Sequence, residues 1–229
     1  MPIFAIRKSM LLPLFFTASS ALALSITDLS NRDATSGLKA ALEKGSTAAV
    51  NKLGVNNGFL GNDKVKIQLP PILEKARPLI KLAGRGQQLD ELVVSMNHAA
   101  EEAVPLAKPL LLNAVKSMTV TDAKQILTGG DTSVTQFFRD KTSAQLAGKF
   151  LPIVKKVTDQ SALSTQYNNT MNQVTKLGIA GQQVTVEDYV TQRALDGLFT
   201  MIAEEEKAIR QDPVGTGSKI LGKVFGAIR

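Results

Sequence analysis

Residues 89–118 read LDELVVSMNHAAEEAVPLAKPLLLNAVKSM, and the spacing of their apolar positions decides the fold. Leu89, Leu92, Val93, Met96, Ala100, Ala103, Val104, Ala107, Leu111, Ala114, Val115 and Met118 recur three or four residues apart. At about 100° per residue they occupy one arc about 140° wide, the pattern of a helix with a single buried face. A strand would need an apolar residue at every second position, and almost no segment of the chain alternates in that way. Pro105 and Pro109 fall on the opposite, wet side, where a proline kink bends a helix around a core. One bent helix and two stacked helices both satisfy the pattern.

Stop and start signals punctuate the sequence on either side. Gly54 ends a first helix that contains Leu38, Leu42, Ala49 and Leu53. Residues 55–62 form a loop, Val65 to Leu69 alternate like a short extended piece, and Pro70-Pro71 suits the first turn of a new helix. Gly84-Arg85-Gly86 is a turn between helices. Thr121 and Asp122 open a short helix that stops before Gly129. Asp131, Asp159 and Thr185 are the expected N-caps of three long helices, with Thr185 and Asp188 spaced as a capping box. Gly178 and Asp212-Pro213 end the second and third of these. The expectation is an all-α bundle of about seven or eight helices, forming a single domain over residues 24–229.

Residues 1–23 are set apart by their order of features. Arg7 and Lys8 precede the apolar run Met10–Ala18, and Ala21-Leu22-Ala23 supplies a small-x-small cleavage site, as in a secretory signal peptide. The apolar run is shorter than the ~20 residues that span a bilayer. Cleavage after Ala23 would leave 206 of the 229 residues, with net charge falling from +7 to +5 as Arg7 and Lys8 are lost. No later stretch approaches about 18 uninterrupted apolar residues, so the mature chain is not expected to span a membrane. The expected location is the periplasm, where disulfides are permitted but not required.

Composition removes whole classes of chemistry. With no Cys there is no disulfide, thiol nucleophile or thiolate metal site, and a single His excludes sites that need two imidazoles. No Trp and two Tyr leave little for stacking sugars or unpaired bases, and the dispersed charge argues against nucleic acid. Thr128-Gly-Gly-Asp-Thr-Ser133 is the most suggestive glycine cluster, but no P-loop lysine follows it. Gly129 as a left-handed C-cap and Asp131 as an N-cap account for it. His98 lies on the wet face beside Glu91, Ser95 and Glu102, as one half of an i, i+4 pair with Glu102. No cofactor and no metal site follow from these residues. The tail from Val214 is amphipathic: Ile220, Leu221, Val224 and Phe225 share one face, with Lys219 and Lys223 opposite. Such a helix docks on its own protein or lies on a membrane surface.

Glu204-Glu205-Glu206 is the nearest approach to a site. Three consecutive helical residues span about 200°, so the three carboxylates cannot share one wet face. In the helix from Val186, Glu205 and Glu206 fall at the edge of the apolar arc, and a carboxylate there needs a partner. Arg139 is the complementary anomaly, in line with Leu146, Phe150 and Ile153. The pattern predicts a buried pair between Arg139 and Glu205 or Glu206. The alternative is a solvated cluster, with Glu206 an i, i+4 partner of Arg210.

Several blocks, Ile126-Leu-Thr-Gly-Gly-Asp131, Phe150-Leu-Pro-Ile153, Arg193-Ala-Leu-Asp-Gly-Leu-Phe199 and Met201-Ile-Ala-Glu-Glu-Glu-Lys207, resemble domain-of-unknown-function family 4197. The resemblance runs from about Leu29 to Phe225. It implies an exported helical protein of a Gram-negative bacterium, and it carries over no catalytic or binding residue. Two functions follow as expectations. One is a non-catalytic periplasmic protein that binds a partner protein or an apolar ligand, with peripheral membrane contact through the tail. The other is an enzyme using the carboxylates of Glu101, Glu102, Glu204, Glu205 and Glu206, with or without a metal.

Overall fold

The computed structural model describes residues 31–160, 164–165, 167–169 and 184–212. The signal segment 1–23, Gly178, Pro213 and the amphipathic tail 214–229 lie outside the described residues. Among those described there are seven α-helices and no strand: α1 (Asn31–Leu53), α2 (Pro71–Leu82), α3 (Gly86–Ala103), α4 (Ala107–Lys116), α5 (Val120–Thr128), α6 (Ser133–Thr158) and α7 (Val186–Gln211). The fold is all-α, as the periodicity requires.

The run 89–118 resolves into two helices. A 3-10 turn, Val104–Leu106, separates α3 from α4, and Pro105 stands in it with no N–H to lose. Both prolines are exposed, while Leu89, Leu92, Met96, Ala100, Ala103, Val104, Ala107, Leu111 and Val115 are fully buried. The longest helices, α6 and α7, make the most extensive pairing; α6 also packs on α3, α4 and α5, and α1 on α7, α4 and α5. Phe59, Phe138, Phe150 and Phe199 fill the space between them. Phe59 comes from the loop after α1 and lies against Gly197 of α7, where a Cβ would sit 2.6 Å from its ring. Glycine there is what admits the aromatic ring.

Helix ends follow local chemistry in some places and depart from it in others. Thr185 caps α7 as expected, accepting from the Asp188 amide at 3.1 Å. The short helix α5 begins at Val120, one residue before Thr121: Thr119 is its N-cap, and Asp122 is the reciprocal member of a capping box. Gly129 is not left-handed but extended (φ −80°, ψ 170°), and glycine is needed there because a Cβ would meet Ser133 at 2.6 Å. Asp131 does not cap α6. The N-cap position belongs to Thr132, whose side chain makes no cap hydrogen bond. Asp159 is the C-cap residue of α6 and pairs with Lys155; the helix expected to follow it falls largely outside the described residues.

Candidate functional site

Three glutamates are buried among the described residues: Glu101, Glu187 and Glu206, at 6, 6 and 4% exposure. Two of them belong to the predicted set. An ionised carboxylate out of water needs several donors, and each of the three has them.

Glu101, on α3, faces the loop that follows α1. Its Oε1 accepts from the amides of Phe59 (2.9 Å) and Leu60 (3.0 Å), and its Oε2 from the amide of Asn57 (3.1 Å). Asn57 is left-handed (φ 63°), which turns the successive amides toward one point. His98 closes the cluster, with Nδ1 at 2.7 Å from Oε2. The histidine thus pairs with Glu101 rather than with Glu102, which is exposed. Burial is the strongest single influence on the Glu101 carboxyl and opposes its ionisation. The Leu60 amide, His98 and the Phe59 and Asn57 amides together outweigh it and hold the carboxyl below its usual range. One turn earlier, Asn97 exchanges two hydrogen bonds with the backbone of Ile67, at 2.8 and 2.9 Å. Asn97 sits inside the apolar arc of α3, a signal that could have marked it. Together Asn97 and Glu101 fasten the extended stretch and the loop to the body.

Glu206 performs a similar task at the start of α6. Its oxygens accept from the amides of Val134 and Thr135, each at 3.1 Å, and from the Thr135 hydroxyl at 3.0 Å. A carboxylate from α7 therefore caps α6, in the place expected for Asp131. Arg210 donates to Glu206 at 3.1 and 3.0 Å, and continues to the Ser133 hydroxyl (2.8 Å) and the Ile126 carbonyl (3.3 Å). The blocks 126–131 and 201–207, far apart in sequence, meet at this cluster.

The predicted pair of Arg139 with Glu205 or Glu206 is not formed. Arg139 leaves the buried zone, lies over the Phe199 ring (4.5 Å to its centre) and reaches Asp196 at 3.5 Å. It does join α6 to α7, but at the surface, where its charge stays hydrated. Glu205 pairs with Lys52 at the end of α1, and Glu204 with Lys64 of the loop. The three adjacent carboxylates diverge to three different elements, as their 100° spacing demands. Glu187 receives the Thr158 and Ser164 hydroxyls at 3.2 and 3.4 Å and the Asn168 amide at 2.8 Å. Nothing in the sequence marked it, because an acidic residue in a first helical turn is ordinary. No group of three or more His, Asp or Glu side chains suited to a metal occurs among the described residues.

Two concavities adjoin these elements. A void of about 10 Å³ between α1, α6 and α7, beside Glu206, holds one water at most. An open groove of about 450 Å³ between α5 and α6 is lined by Asp122, Gln125, Gln136, Phe137, Asp140 and Lys141.

The other departure from an ordinary surface is α2. This helix packs chiefly on α3, through Leu73 (8% exposed) and the half-buried Ile80. Arg77 ties it down, bonded twice to Glu74 at 2.9 Å and reaching Asp90 of α3 at 3.5 Å. Gly84 (φ 74°) closes its end: the amides of Arg85 and Gly84 return to Ile80 and Lys81, each at 3.0 Å. On the side away from α3, Ile72, Leu79 and Leu82 stand 50, 71 and 85% exposed. Their ridge was not anticipated, because apolar residues at helical spacing read as core.

The family model described as a protein of unknown function, DUF4197, matches residues 28–226. No curated protein and no solved structure matches the chain. A match over nearly all of the helical region, with family-marking blocks meeting around Glu206, means that the chain belongs to the DUF4197 family.

Proposed function

We propose that this chain is a non-catalytic binding protein of the bacterial cell envelope, exported to the periplasm by cleavage of residues 1–23. The observation that carries the reading is the apolar ridge Ile72, Leu79 and Leu82 on a helix otherwise anchored and capped. Exposed apolar side chains gathered on one helix face mark an interaction site rather than a core. The buried carboxylates support it from the other direction. Glu101, Glu187 and Glu206 are saturated by amides and hydroxyls of neighbouring elements, with His98 and Arg210 added from the helices of Glu101 and Glu206 themselves, which leaves them poorly placed to exchange protons with a substrate. Positive charge in Arg7 and Lys8, the short apolar run and Ala21-Leu22-Ala23 support export.

Native mass spectrometry of the protein taken from its own periplasm tests the reading. A retained lipid, apolar molecule or partner protein is the expected result. A retained metal ion that is lost on replacing a glutamate would overturn it.

A further inference from the structure

We propose that α2 seats this protein on an anionic phospholipid surface, with Ile72, Leu79 and Leu82 entering the boundary of the acyl region. The proposal rests on the binding role given above and names its partner. A helix of 12 residues is about 18 Å long, and a single ridge along it covers on the order of 200 Å². Specific protein interfaces need about 1,000 Å² or more in total, so this ridge is too small to hold a second copy or a folded partner alone. A lipid surface sets no such threshold, because a few apolar side chains and cations act together there.

Charge points the same way. Between Pro71 and Gly86 the chain carries Lys75, Arg77, Lys81 and Arg85 against Glu74, a net +3. Lys75 lies within the ridge arc, about 40° from Leu79 on the helix wheel, placed to keep its ammonium at headgroup level while its stem lies beside the leucines. Packing two copies ridge to ridge would bring the two Lys75 side chains together, whereas an anionic surface neutralises them. The helix is also ready-made: the Arg77 tie to Asp90 and the closure at Gly84 fix it before any surface is met.

Sedimentation of the mature chain with vesicles tests this. The probes are phosphatidylethanolamine vesicles with roughly one quarter phosphatidylglycerol, and vesicles of phosphatidylcholine alone. The expected result is binding to the anionic vesicles only, weakened by salt and at least roughly tenfold weaker in Leu79→Ser/Leu82→Ser, with the melting temperature unchanged. Lys75→Gln/Lys81→Gln should weaken it less. Equal binding by the serine variant, or loss on removing residues 214–229 instead, would assign the contact elsewhere and overturn the proposal. A serine variant that melts several degrees lower would mean the chain covers the ridge itself, and overturns it too. If the wild type ignores vesicles but forms a dimer that the serine variant lacks, the lipid proposal falls while the binding role stands.

Discussion

Glu206 and Arg139 sit on neighbouring helices and carry opposite charges, yet each is committed elsewhere. Glu206 gains two amides at the positive end of α6, a hydroxyl and an arginine that donates twice to its Oε1, which is more than one cation offers. A double-mutant cycle by urea denaturation should find Glu206→Ala and Arg210→Ala coupled by about 1 kcal/mol or more. Glu206→Ala and Arg139→Ala should add independently within about 0.5 kcal/mol. Glu101 supplies a pH test. Its carboxyl is depressed in the folded chain, so the folded state gains from ionisation above the ordinary value of 4.5 and loses that gain as pH falls through the lower folded value. The stability difference between the wild type and Glu101→Gln should therefore be full at neutral pH and shrink below about 4.5. Urea midpoints measured down to pH 3 check this, and a gap that widens in acid would be the opposite sign. At this scale the sequence exposed the anomalies but not their partners. The wheel position of Glu206 announced that it needed a donor, and Arg139 offered itself as an inward cation. The orphan amides that Glu206 satisfies carry no residue signature, so only the packed structure reveals them.

Elements were more legible than contacts, since a helix face is written in its own spacing. The arc over Leu89–Met118 became the buried faces of α3 and α4, and Thr185 capped α7 through the bond its spacing implied. Reading failed where a distant group replaces a local one. Asp131 was the reasonable cap for α6 until a glutamate on α7 took over the task, leaving Thr132 in place with no cap bond. Thr132→Ala should accordingly change stability by less than about 0.5 kcal/mol, where an ordinary threonine cap would cost about 1 kcal/mol. Glycines separate packing from propensity in the same way. Gly148 and Gly197 both lie inside helices, where alanine gains about 1 kcal/mol of propensity. A Cβ on Gly148 meets nothing within 4 Å, so Gly148→Ala should stabilise. One on Gly197 lies 2.6 Å from the fully buried Phe59, and overpacking of about 1–3 kcal/mol should more than cancel the gain. Thermal melts of the two alanine variants should move in opposite directions.

For the whole molecule, what the sequence conveyed was composition, class and family, and what it withheld was the use made of each charge. Intact mass of the periplasmic fraction should give a chain beginning at Leu24; a soluble species retaining residues 1–23 would contradict export by cleavage. In the proposed binding role the buried carboxylates hold the bundle together rather than serve a reaction. Glutamine is the sharp probe, because it keeps the shape of glutamate but turns an NH₂ toward a backbone amide. Groups reserved for chemistry usually leave a protein as stable or more stable when neutralised, whereas groups that fasten elements leave buried donors unpaired. The most direct measurement is therefore urea denaturation of Glu101→Gln and Glu206→Gln, the two that accept from backbone amides, at neutral pH. Each should lose about 2–4 kcal/mol relative to the wild type, with the m-value unchanged. Variants as stable as the wild type, or more so, would contradict the claim.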